Sequence, residues 1–140
     1  MKLIRSTSVF VFPALLALAG LSLITTTNAN PQHGFRVPQY EQFHDVLHPL
    51  EHEALPKRDF RRIRTKAPEL VRLGKAIVKV GIPAGTKDEQ KEEFAKELKK
   101  FSKALAKFRT DAKAGSNAKL KSSYSAVHDS FEMLAGMLPR

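Results

Sequence analysis

The sequence predicts an all-α protein: an antiparallel up-down-up-down four-helix bundle after an N-terminal signal peptide. Three observations carry this. Four segments place apolar residues at alternating spacings of three and four, the pattern of a helix burying one stripe. Short breaker-rich connections separate them, and short loops make neighbouring helices reverse direction. No segment alternates with the period of a strand. At 140 residues the chain is one domain at most.

Residues Met1 to Ala29 have the tripartite form of a secretory signal. Lys2 and Arg5 give the positive start, Val9 to Ile24 form the apolar run, and Thr25 to Ala29 offer a small-residue cleavage site after Ala29. The run is short for a membrane span, and Pro13 and Gly20 weaken it further; an uncleaved anchor is the alternative. Cleavage leaves 111 residues with net charge +8, bound for the periplasm or for secretion. The chain has no Cys, which excludes disulfides, thiolate zinc sites, iron–sulfur clusters, cysteine nucleophiles, a lipoprotein anchor and covalent c-type haem.

Residues 30–37, containing Pro31 and His33, read as an extended or disordered lead-in, and the bundle follows over 38–140. The first helix is expected over about 38–54, with Pro38 suited to a first helical position and Tyr40, Phe43, Leu47, Leu50 and Ala54 on one face. A second over about 57–80 carries Phe60, Ile63, Ala67, Leu70, Gly74 and Ile77, with Pro68 expected to kink or loosen it. The cluster Gly81-Ile82-Pro83-Ala84-Gly85 is the clearest break, and Thr86-Lys87-Asp88-Glu89 has capping-box spacing. A third helix, about 87–114, buries Phe94, Leu98, Phe101, Leu105, Phe108 and Ala112. Gly115 suits its C-cap, and Ser116 or Asn117 the N-cap of a fourth helix at about 116–138. That helix carries Leu120, Tyr124, Val127, Phe131, Leu134 and Leu138.

Chemistry points to histidine. His44, His48 and His52 recur at spacing four, which stacks them along one side of the first helix. His44 and His48 fall roughly 80° and 120° from the centre of the buried stripe, and His128 about 80° from that of the fourth helix. In an antiparallel bundle the heights of His48 and His128 match. His44 and His52 stand about 12 Å apart along the axis, too far for one ion with metal–nitrogen bonds of about 2.0–2.1 Å, whereas pairs one turn apart can share one. The expected metal set is His44, His48 and His128, with Glu51, His52, Asp45, Glu132 or Met133 as candidate completing ligands. Neutral imidazole suits Zn, Cu or Ni, and the Met133 thioether favours copper. The competing reading is that these histidines simply pack and hydrogen-bond at the bundle margin.

His48-Pro49-Leu50-Glu51-His52 also fits H-x-x-E-H, the inverted zinc-protease motif. Pro49 disturbs the helix that must present those ligands, and so small a chain lacks a substrate cleft. No enzyme is expected.

The stretch Leu120-Lys121-Ser122-Ser123-Tyr124-Ser125-Ala126-Val127-His128-Asp129-Ser130-Phe131 is similar to the final helix of the cytochrome c′ and cytochrome b562 group of periplasmic four-helix bundles. There, a His followed by polar and aromatic residues ligates haem iron. The export signal, mature size and helix order agree with that group over nearly the whole mature chain. The resemblance implies the bundle fold and a ligand position at His128. Covalent attachment in the cytochrome c′ branch uses two Cys ahead of the His, and Tyr124 and Val127 stand at those positions here. It therefore implies, at most, b-type haem, with His128 as one axial ligand and His44 or His48 replacing the first-helix Met of the b562 branch. A haem-free relative that has acquired metal-binding histidines is the other implication.

Lys96, Lys99, Lys100, Lys103, Lys107 and Arg109 make the third helix basic, and Lys57, Arg58, Arg61, Arg62, Arg64 and Lys66 make a second basic run. Such faces are commonly solvated and laced by pairs such as Glu92 with Lys96. They also suit an acidic redox partner or an anionic envelope surface, while export argues against specific nucleic-acid binding. The expectation is an exported transition-metal-binding bundle for metal sequestration, sensing or tolerance. The alternatives are a b-type haem electron-transfer protein and a cofactor-free adaptor that contacts an anionic partner.

Overall fold

The computed structural model describes residues 34–139. The expected signal peptide, its cleavage point after Ala29 and His33 lie outside the described residues. Each apolar stripe becomes one wall of a shared core. Helix α1 spans Pro38–Pro49, α2 Phe60–Val80, α3 Asp88–Ala114 and α4 Asn117–Gly136, and no strand forms among the described residues. The result is an all-α four-helix bundle. None of these helices is long and apolar enough to cross a membrane.

Proline shapes the end of α1. Pro38 opens the helix, where a missing N–H costs nothing, and Pro49 closes it. Lacking an N–H, Pro49 breaks the i→i+4 ladder. A π-helical turn at Leu50–Ala54 takes over, with the Leu55 N–H reaching back to the Leu50 carbonyl at 2.9 Å. The wider turn still buries Leu50 and Ala54, so the apolar stripe continues unbroken. The chain then turns through Arg58, whose positive φ of 56° places it in the left-handed region. Asp59 caps α2 by accepting the Arg62 N–H at 3.0 Å, which fixes the helix start at Phe60.

Helix α2 runs through Pro68 without interruption, where the sequence suggested a kink or loosening. It approaches α3 closely because Gly74 has no side chain: a Cβ there would lie 2.6 Å from Leu105 Cδ1. Thr86 does not cap α3. Its hydroxyl donates to the Pro83 carbonyl at 2.8 Å inside the preceding turn, so Lys87 takes the N-cap position without a side-chain bond. Ser116 caps α4, accepting the Lys119 N–H at 3.3 Å. The pair suggested for Glu92 and Lys96 is made by Glu93 instead, at 3.3 Å.

Arg64 ties three helices together. Its guanidinium donates to the carbonyls of Asp111 at 3.0 Å, Ala112 at 2.8 Å and Gly115 at 2.8 Å, and to Asn117 Oδ1 at 3.1 Å. Those carbonyls lie at the end of α3, where the helix dipole favours a cation; the Asp111 carbonyl also accepts the Gly115 N–H at 2.8 Å. Gly115 makes the turn passable, since a Cβ there would stand 2.8 Å from the Asp111 backbone.

Aromatic rings join α1 to α4 and α3. Phe131 stacks on Tyr40 at 5.9 Å and packs against Phe43 at 4.8 Å, and Phe43 meets Phe101 edge-on at 5.4 Å. Lower in the bundle the Tyr124 hydroxyl donates to the Leu47 carbonyl at 3.0 Å. Phe35, from the end of the lead-in, joins this cluster by meeting Phe131 edge-on at 5.9 Å. The Phe35 N–H also donates to Glu41 Oε2 at 2.8 Å, which pins the entry to α1.

Candidate functional site: the histidine ladder of the first helix

Spacing of four on α1 produces a physical ladder. The His44 and His48 ring centroids lie 5.2 Å apart, and those of His48 and His52 lie 4.3 Å apart across the start of the π-helical turn. His44, half-buried, packs against two aromatic rings: Phe35 meets it edge-on at 5.6 Å and Phe131 lies nearly parallel to it at 6.3 Å. His48 and His52 are exposed. One rung is therefore oriented by packing, while the next two face water.

His128 is half-buried on α4, with Nδ1 3.5 Å from Asp129 Oδ1. The contacts of Phe131 with Phe43 and of Tyr124 with Leu47 bracket it, so His128 and His44 share a level in the bundle. Even so, among the described residues no three His, Cys, Asp or Glu side chains come together as a ready-made metal site. What the geometry does offer is a pair of imidazoles one turn apart. Two rings bound to one ion at about 2.0–2.1 Å stand with centroids about 4.5–5.5 Å apart, which matches the upper rung of the ladder.

The other candidate ligands are dispersed. Met133 is 55% exposed on the outer side of α4, and Asp45 and Glu132 are exposed as well. Glu51 sits on the π-helical turn with Oε2 buried and without a hydrogen-bond partner among the described residues. It lies near Tyr124, whose hydroxyl is pushed well above its usual pKa, first by burial and then by the Glu51 charge. Glu53 points away to Arg62 at 2.8 Å, and that hydrogen bond and charge hold its carboxyl below the usual range.

The two positions that would carry haem-attaching cysteines are both core positions here. Val127 and Tyr124 are fully buried, and the Tyr124 hydroxyl is committed to α1. Between α1 and α4 at this level the rings of Tyr40, Phe43 and Phe131 pack against one another. The chain matches no protein-family model, no curated protein and no solved structure.

Periodicity alone missed two features. Phe35 lies outside every helical repeat, yet its ring orients His44. Arg64 reads as one cation in a basic run, yet it anchors the end of α3. The only sequence signal for the first is a large aromatic just before Pro38.

Proposed function

We propose that this chain is an exported, antiparallel up-down-up-down bundle that binds a divalent transition metal, Zn, Cu or Ni, through the α1 histidines. His44 and His48 form the chelating pair, His128 is a third imidazole at the same level, and the role is metal sequestration, sensing or tolerance. The observation that carries the reading is the 5.2 Å ring separation of His44 and His48, with His44 oriented by two aromatic neighbours. A ligand pair whose rings are partly held in place loses less entropy on binding than a free pair. Water completes the remaining positions, since the exposed side of the ladder is open to solvent. In support of the antiparallel arrangement, contacts between α1 and α4 pair rising residue numbers with falling ones, Phe43 with Phe131 and Leu47 with Tyr124. Between α2 and α3, Arg64 meets Asp111 while Gly74 meets Leu105.

Calorimetric titration of the purified protein with Zn, Cu and Ni tests the reading. One equivalent should bind with a dissociation constant below about 10 μM, and His48→Ala, which removes the rung shared by both pairs, should weaken binding at least tenfold, or about 1.4 kcal/mol. Equal binding by wild type and His48→Ala overturns it. A Soret band in protein from haem-sufficient cells supports the b-type haem alternative instead.

A further inference from the structure

On the side of the bundle formed by α2 and α3, small residues leave a hollow. Ala67, Pro68 and Val71 from α2 face Ala112 from α3 across a groove of about 410 Å³, within the range of about 300–1,000 Å³ typical of small-molecule sites. Its floor is apolar, since Ala67 and Val71 belong to the buried core. Around the rim stand Arg72 and Lys75 from α2, with Arg109 and Lys113 from α3. Arg64 closes one end with its guanidinium committed to the α3 carbonyls.

The four rim cations make no ion pair among the described residues. The nearby carboxylates make their ion pairs with other lysines, Glu69 with Lys66 at 2.9 Å and Asp111 with Lys107 at 2.7 Å, although the Arg72 charge also reaches Glu69. Like charges gathered around one apolar hollow repel each other, and an anion seated among them relieves that repulsion. An apolar floor with a cationic rim is complementary to one ligand chemistry, an acyl chain ending in an anionic head. Guanidinium groups such as those of Arg72 and Arg109 match the two oxygens of a carboxylate.

We propose that the α2–α3 groove binds a single-chain fatty carboxylate, its head held by Arg72 and Arg109 and its chain laid over Ala67, Pro68, Val71 and Ala112. The site is separate from the histidine ladder and does not depend on the metal reading.

The test is calorimetric titration with dodecanoate below its micelle concentration, with the fold followed by circular dichroism. One molecule should bind per chain, with a dissociation constant below about 100 μM. Acetate, which shares only the head, and dodecyltrimethylammonium, which shares only the tail, should each bind at least tenfold more weakly. Arg72→Glu with Arg109→Glu changes two exposed side chains, so folding is preserved, and should weaken dodecanoate binding at least tenfold. Val71→Phe, which fills the hollow without touching the rim, should do the same. Equal binding of the cationic amphiphile, or no effect of the charge reversals, overturns the proposal. So does binding to anionic vesicles without binding to dodecanoate, which would make the face a membrane contact.

Discussion

Replacing Arg64 by Met keeps the apolar stem and removes the charged fork. Four hydrogen bonds disappear together, three of them to carbonyls at the end of α3 and one to Asn117 at the start of α4. A hydrogen bond to a charged group is worth about 1.5–3 kcal/mol net, and a cation at a helix C-terminus about 0.3–1 kcal/mol. The bonds share one side chain, and water can reach the carbonyls once they are released. The contributions therefore do not add, and the expected loss is about 2–3 kcal/mol. In urea unfolding followed by far-UV circular dichroism, the midpoint should fall with an unchanged slope. Arg64→Lys, which keeps the charge but not the fork, should lose about 1–2 kcal/mol. A loss under about 0.5 kcal/mol for Arg64→Met would refute the reasoning, because that is the size of an ordinary surface substitution.

Both tyrosines of the chain, Tyr40 and Tyr124, are buried, and burial raises the pKa of each phenol. Since the folded values exceed the unfolded one, stability should fall as pH rises above about 10. Absorbance at 295 nm should then report tyrosinate in one cooperative step coincident with unfolding, whereas a gradual rise in a folded protein would contradict the burial. At the acid end, burial raises the Glu97 carboxyl, but hydrogen bonds from Lys100 and Ser130 and the Lys100 and Lys96 charges lower it further, for a net fall. Asp111 is lowered first by the Lys107 hydrogen bond, against a smaller opposing effect of burial. Folded values below unfolded ones mean that this stabilisation is present above the ordinary carboxylate range and is lost as pH falls through the folded values. The urea midpoint should accordingly decline below about pH 4.5, and Glu97→Gln should flatten part of that decline; a midpoint unchanged from pH 5 to 3 would contradict it.

The all-α class was readable because each apolar stripe is continuous and large. Phe94, Phe101, Phe108 and Phe131 can be buried together only by helices that present one face to a shared core. Local exceptions were not readable, for identifiable reasons. Pro49 announces a broken ladder, but whether a helix ends, bends or widens there depends on whether Leu50 and Ala54 can still reach the core, a tertiary matter. Thr86 had the spacing of a cap, yet the tight turn at Pro83 competes for its hydroxyl. For the histidines, spacing put His44, His48 and His52 on one line and His128 near their level. The ring separations and the aromatic walls around His44 depend on Phe35 and on the α1–α4 packing. The rim of the α2–α3 groove is likewise invisible in the chain, because Arg72 and Arg109 become neighbours only once α2 and α3 pack together through Gly74.

Electron paramagnetic resonance of the protein with one equivalent of Cu(II) tests the metal assignment most directly, because nitrogen hyperfine structure counts the ligating imidazoles. The α1 pair predicts at least two coupled nitrogens, with His48→Ala reducing the count and a tetragonal copper signal in the wild type. An aqueous copper spectrum without nitrogen coupling, or a nitrogen pattern unchanged in His48→Ala, would contradict it.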